Sequence, residues 1–79
     1  MTKEEVLKKF EELGYEIEIF HYKIQMLKEI IIDEINDTYT KFLKKIIVFT
    51  NAREYLTNWT FTLQEHQLLT ELFKCEGWI

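Results

Sequence analysis

The strongest constraint on the fold is a pair of matched helix boundaries, one near each end of the chain. Each boundary begins with a threonine three residues before a glutamate, a pair that can form a capping box with the free N–H groups of the first helical turn. Each predicted helix then stops at a glycine, a residue that commonly ends helices. The residues are Thr2, Glu5 and Gly14 in the first helix, and Thr62, Glu65 and Gly77 in the second.

The segment between these two helices has the alternating pattern of β-strands. Apolar and polar residues alternate strictly over 15–19, and the alternation continues over 20–26 on the opposite parity. We interpret this stretch as one strand whose faces are exchanged by a bulge or a twist. A long helix over 15–35 is the alternative, because apolar residues also recur there at spacings of three and four. The many β-branched isoleucines favour strands.

Further strands and turns complete the predicted order of elements. Strands are predicted at residues 29–35, 45–50 and 55–61, with turns at Asn36-Asp37 and at 51–53. The strand at 45–50 reaches back to Tyr39 if the lysine-rich segment before it is extended. The sequence thus predicts one α+β domain over residues 1–79, in which a small antiparallel sheet of three or four strands is flanked by an N-terminal and a C-terminal helix. The order is α-β-β-β-β-α, in two layers.

The short chain has few means of stabilising itself. A single core in 79 residues rarely supplies more than about 3–5 kcal/mol, and natural domains of this size often add a disulfide, a metal or a partner subunit. One cysteine, Cys75, cannot form an internal disulfide. His21, His66 and Cys75 lack the spacing of a metal site. By elimination we expect a homo-oligomer, most simply a homodimer.

No catalytic signature is found in the sequence. Nucleophile-elbow, zinc-protease and phosphate-loop patterns are absent, and both glycines are already assigned to helix ends. The paired acidic residues lie in polar surroundings that are typical of solvated faces rather than of a tuned general acid. We therefore predict no catalytic, cofactor-binding or metal-binding residues and expect a protein that is not an enzyme.

Apolar residues on both faces of the predicted strands suggest that a partner covers part of the sheet. If both helices pack on one face, Leu56 and one of the isoleucines at 30–32 must lie on the other face. The chain is too short to cover both faces, so we predict a non-enzymatic interaction or regulatory module that binds itself or another protein. The candidate interface residues are Leu56, Trp59, Leu69, Phe73 and Trp78.

A second hypothesis is a small regulator that binds nucleic acid. Aromatic residues alternate with lysines in one segment, a composition suited to base stacking and to neutralising phosphates. The formal net charge of −4 argues against nucleic acid as the main partner. The candidate contacts are Tyr39, Lys41, Phe42, Lys44 and Lys45.

The location of the protein is predicted from its apolar segments and its composition. The N-terminal residues are polar and acidic, unlike a secretory signal, and no apolar run approaches the ~20 residues of a membrane span. We therefore expect a cytoplasmic protein without membrane contact. The absence of proline and the abundance of isoleucine and lysine fit AT-rich coding, typical of a low-GC bacterium or one of its phages. A phage or prophage accessory protein is the expected setting.

Overall fold

A computed structural model of the protein describes the backbone of residues 1–33 and 39–79, with side-chain detail for 1–31 and 41–79. The described chain forms one open four-stranded sheet and two helices, and it confirms the predicted α-β-β-β-β-α order. The elements are α1 (Lys3–Glu12), β1 (Glu16–Ile19), β2 (Lys23–Asp33), β3 (Tyr39–Phe49), β4 (Glu54–Thr57) and α2 (Leu63–Cys75).

Both helices begin with the capping boxes predicted from the sequence. In α2, the Thr62 hydroxyl accepts the Glu65 backbone N–H at 3.1 Å, and the Glu65 carboxylate accepts the Thr62 N–H at 2.8 Å. The same reciprocal arrangement starts α1. Gly14 and Gly77 follow the helices with φ values of +99° and +76°, in the left-handed region where glycine avoids the clash of a Cβ atom. Both predicted helices are therefore confirmed.

The first two strands correct one sequence interpretation. The exchange of faces after Ile19 is a hairpin turn and not a bulge, since the Phe20 N–H donates to the Lys23 carbonyl at 2.8 Å and Ile19 pairs with Ile24. The predicted division into one strand over 15–26 and another over 29–35 is therefore wrong, because the hairpin separates β1 from β2 and β2 continues without a break from Lys23 to Asp33. Extended backbone over β1 and β2 also replaces the long-helix alternative throughout its described part. The predicted turn at Asn36-Asp37 lies outside the described residues.

All neighbouring strands pair antiparallel, in the order β1-β2-β3-β4. The two central strands, β2 and β3, pair along their full length, from Lys23 with Phe49 to Asp33 with Tyr39. The outer strands are much shorter, because β1 pairs only with residues 24–27 and β4 only with residues 46–49. The rest of the central hairpin extends beyond the outer strands, which contributes to an elongated molecule of 47 × 21 × 18 Å.

The core lies between the two helices and one face of the sheet. Alternate side chains of β2 and β3 point into it, so that Ile24, Met26, Ile46 and Val48 are fully buried. The helices contribute Val6, Phe10, Leu68, Leu69 and Leu72. Both helices therefore cover the same face, as the sequence predicts, and among the described residues no helix covers the opposite face.

Candidate interaction surface

The uncovered face of the sheet, here named the open face, has an apolar centre. Its side chains alternate with the core residues along each strand, since neighbouring residues of a strand point to opposite sides. Three of its aliphatic residues are largely exposed: Ile31 by 59%, Leu43 by 47% and Leu56 by 56%. The apolar members are Leu27 and Ile31 on β2, Leu43, Ile47 and Phe49 on β3, and Leu56 on β4.

Charged residues of both signs share the open face and are unevenly divided between its strands. The first strand places only acidic residues there, Glu16 and Glu18, whereas β3 places only basic ones, Lys41 and Lys45. Lys41 and Glu29 form an ion pair at 3.3 Å across β2 and β3. Glu54 of β4 and Lys23 of β2 also point to this face, so both outer strands carry acidic residues and the two central strands carry the basic ones, among the apolar side chains.

The five candidate interface residues lie in different parts of the molecule. Leu56 is exposed on the open face. Trp59 is also exposed, and its ring lies 4.7 Å from that of Phe42, on the helix side of the sheet. Leu69 is only 2% exposed, so it belongs to the core and offers no surface to a partner. Phe73 and Trp78 are half-buried against the core and stack on each other at 5.0 Å.

The candidate nucleic-acid residues do not form one basic patch either. Lys44 is buried, and its ammonium group is bound by Glu65. Lys41 and Lys45 point to the open face, whereas Phe42 points to the other side of β3. The side chain of Tyr39 lies outside the residues described in side-chain detail. The alternation of β3 thus separates lysines that are adjacent in the sequence.

Asn58, which the sequence analysis did not single out, protects the outer edge of β3. Its Oδ1 atom accepts the Lys45 backbone N–H at 2.8 Å, and its Nδ2 atom donates to the Leu43 carbonyl at 3.0 Å. The side-chain amide therefore continues the hydrogen bonding of β4 beyond Thr57 and occupies backbone groups that an added strand would use. It leaves the side chains of Leu43 and Lys45 directed to the open face.

Beneath the open face, a buried polar cluster joins the sheet to α2. Lys44 donates from Nζ to Oε1 of Glu65 at 2.7 Å, and both residues are only 3% exposed. The hydroxyl of Tyr15 donates to the other carboxylate oxygen. The ammonium group also lies 5.5 Å from the centre of the Phe61 ring, within the range of a cation–π contact. Glu65 is thus both the cap of α2 and the counterion of Lys44.

The environment of the cluster shifts two pKa values in opposite directions. Burial, followed by the hydrogen bond and the charge of Glu65, raises the pKa of the Tyr15 hydroxyl. Burial by itself would raise the pKa of the Glu65 carboxyl. The hydrogen bonds from Lys44, the Thr62 backbone and Tyr15 outweigh it and hold that pKa below its ordinary value. The cluster is therefore an ionised carboxylate surrounded by donors at neutral pH.

The polar atoms of this cluster are satisfied internally. Across the part of the chain with side-chain detail, no buried side-chain nitrogen or oxygen lacks a hydrogen-bond partner. The carboxylate of Glu65 already accepts from three neighbouring groups. Buried charges are tolerated when they are paired and hydrogen-bonded in this way. We therefore assign the cluster to the stability of the fold.

The described residues contain neither a candidate metal site nor a helix suited to span a membrane. In residues 1–33 and 39–79, no group of three or more histidine, cysteine, aspartate or glutamate side chains is arranged to hold a metal ion. Neither described helix has the length and apolar character needed to cross a membrane.

Comparisons with known proteins gave no match. No family model, curated protein or solved structure is significantly similar to this chain. Its function has to be inferred from the geometry and chemistry described above.

Proposed function

We propose that this chain is a non-enzymatic protein-binding module whose open face packs against another polypeptide. The supporting observation is the group of exposed aliphatic side chains on that face, where Ile31, Leu43 and Leu56 are each about half exposed or more. Large contiguous apolar patches are uncommon on monomeric proteins and commonly mark binding surfaces. A partner that covers this patch removes it from water.

Because the chain is small, binding of a partner would add noticeably to the stability of its folded state. Burial of apolar surface contributes roughly 25 cal/mol per Å². A small domain has little stability in reserve, and a partner that binds only the folded state adds to it. We therefore expect the binding surface and the stability of the fold to be linked.

The charges of the open face favour a protein over a nucleic acid as its partner. Interfaces between proteins typically surround an apolar centre with a polar rim. Glu16 and Glu18 would repel phosphates approaching the same face, and Glu29 already neutralises Lys41. Lys44 holds its charge against Glu65 on the other side of the sheet. The nucleic-acid hypothesis thus loses the support of its central lysine.

The biological setting proposed here follows from the sequence. We place the module in the cytoplasm, as an accessory or regulatory protein of a bacterial phage or prophage. The AT-rich residue usage supports this setting.

Photo-crosslinking from single positions in the protein's own cells tests this function. A photoreactive phenylalanine replaces Leu56 in one variant and Leu63 in the other. Leu63 is a matched control because it is an equally apolar residue, 75% exposed, on the helix layer. We expect crosslinked protein from position 56 and little or none from position 63.

Three outcomes of this experiment would overturn the proposal. Equal crosslinking from both positions would show that the open face has no preference for a partner. No crosslinking from position 56 would show that the face remains in water. Nuclease-sensitive crosslinks from position 56 would replace the proposal with nucleic-acid binding.

A further inference from the structure

We infer that the partner covering the open face is a second copy of this chain, packed face to face about a two-fold axis that runs along β2. The inference rests on the proposed function and identifies its partner. A two-fold dimer requires a surface that is complementary to itself, and most homo-oligomers have this symmetry. The strand register shows which residues of the open face come opposite each other in such a dimer.

The register places one acidic and one basic residue at equal distances from the proposed axis. Leu27 of β2 pairs with Glu16 of β1 on one side and with Lys45 of β3 on the other. All three side chains point to the open face. Rotation by 180° about β2 exchanges the positions of β1 and β3. Glu16 of each copy then lies opposite Lys45 of the other, and the two Leu27 side chains meet on the axis.

The remaining charges of the open face contribute less to this arrangement. On the open face, β1 carries glutamates and no lysine, whereas β3 carries lysines and no acidic residue. Superposing β1 on β3 brings only Glu16 and Lys45 directly opposite each other. Glu18 is level with Ile47, and Lys41 is level with Ile31, beyond the end of β1. Lys23 and Glu29 of β2 both lie near the axis, and each faces its own counterpart. The ion pair of Glu29 with Lys41 of its own chain, at 3.3 Å, reduces the repulsion between the two Glu29 side chains.

The dimensions of the overlapping part of the open face indicate a weak dimer. An 11-residue strand is roughly 36 Å long, and four strands are roughly 19 Å wide at their widest part. With the axis along β2, only β2 and the stretches of β1 and β3 level with residues 24–27 face the second copy, so the planar contact is on the order of 300 Å² for each copy. This is the size of a weak, transient interface, and β4 with Leu56 lies just beyond β1 of the second copy. We expect a dissociation constant in the micromolar range, roughly 1–100 µM.

Charge-reversal variants test both the partner and the orientation. Glu16→Lys places lysine opposite Lys45 in its own homodimer, and Lys45→Glu places glutamate opposite Glu16 in its own. Each variant alone should dimerise about tenfold more weakly, because two attractive pairs become repulsive. An equimolar mixture should recover dimerisation, since both pairs are attractive in the mixed dimer. Sedimentation equilibrium measures each constant.

Two controls separate this effect from misfolding and from net charge. The pair Lys8→Glu and Glu11→Lys makes the same charge changes on the exposed surface of α1 and should leave dimerisation unchanged. Circular dichroism checks that every variant remains folded. Lys45→Glu should keep the hydrogen bond from the backbone N–H of residue 45 to Asn58, because that bond does not involve the replaced side chain.

The failed outcomes distinguish this inference from the proposed function. A wild-type protein that stays monomeric up to roughly 500 µM, above the expected range, overturns the inference. The inference is also overturned if neither charge reversal weakens dimerisation, or if the equimolar mixture of the two variants does not recover it. Neither result affects the proposed function if Leu56 still crosslinks to a different protein in cells. If the protein is monomeric and position 56 also gives no crosslink to another protein, both the inference and the proposed function are overturned.

Discussion

The Nζ atom of Lys44 lies 2.7 Å from the Oε1 atom of Glu65, and both side chains are almost completely shielded from water. This pair joins a central strand to the first turn of the last helix, and so it connects the two layers of the fold. Leu43 and Lys45, the neighbours of Lys44, point to the opposite side of the sheet. The same strand therefore secures the helix layer with one set of side chains and contributes to the open face with the other.

Removing the charge of Glu65 should strongly destabilise the fold. Glu65→Gln leaves the buried Lys44 ammonium without its counterion, a change that typically costs about 3–5 kcal/mol. Urea denaturation measures the loss. Glu71→Gln is the matched control, because that carboxylate pairs with Lys74 at 3.4 Å on the surface of the same helix. Its loss should be below about 1 kcal/mol.

Replacing both members of the buried pair should recover much of that loss. Lys44→Met combined with Glu65→Gln removes the unpaired charge and keeps a side chain of similar length in the core. The double variant should therefore be more stable than Glu65→Gln alone. A double variant as unstable as the sum of the two single losses would show that the pair does not interact. Urea midpoints of the four proteins complete the cycle.

The buried cluster should make stability depend on pH at both extremes. The pKa of Glu65 is lowered in the folded state, so its contribution is present above the unfolded value of about 4.3 and is lost as pH falls below it. The pKa of Tyr15 is raised, so its contribution is present below about 10 and is lost at higher pH.

Urea midpoints between pH 3 and pH 7 test the acid part of this dependence. The wild-type midpoint should fall more steeply below about pH 4 than that of Glu65→Gln. Parallel curves for the two proteins would contradict the assignment of Glu65. Tyr15→Phe should flatten the fall of the midpoint above about pH 10 in the same way.

The two helix caps should differ in their effect on stability, although their sequences are alike. Thr2→Ala removes one exposed cap and should cost about 1 kcal/mol. Thr62→Ala removes a cap whose partner, Glu65, also holds Lys44, so its cost should approach about 2 kcal/mol. Thermal denaturation ranks the variants. Equal losses would indicate that the Glu65 carboxylate keeps its position without the Thr62 cap.

The helices could be predicted because their boundaries depend on nearby residues. A capping box and a terminal glycine act within a few positions, so Thr62 and Gly77 define α2 without knowledge of the rest of the fold. The first hairpin was harder to predict. A tight turn and a bulge produce the same change of parity between Ile19 and Phe20, and only the pairing of Ile19 with Ile24 distinguishes them.

Contacts between distant parts of the chain explain the remaining differences. Lys44 has the same parity in β3 as Ile46 and Val48, a signal that places it in the core once β3 is known to begin at Tyr39. Its counterion lies 21 residues away, and the sequence offers no local signal for that pairing. The sequence predicts Leu69 at an interface, but the apolar stripe of α2 that contains it faces the core.

The most direct measurement compares the sedimentation equilibrium of Leu43→Glu and Leu63→Glu with that of the unmodified protein. Both substitutions place a carboxylate on an exposed leucine, the first on the open face and the second on α2. The unmodified protein and Leu63→Glu should rise from the monomer mass of 9.7 kDa toward twice that mass with increasing concentration. Leu43→Glu should remain at the monomer mass. Self-association of Leu43→Glu as strong as that of the unmodified protein would contradict the packing of the open face against a second copy.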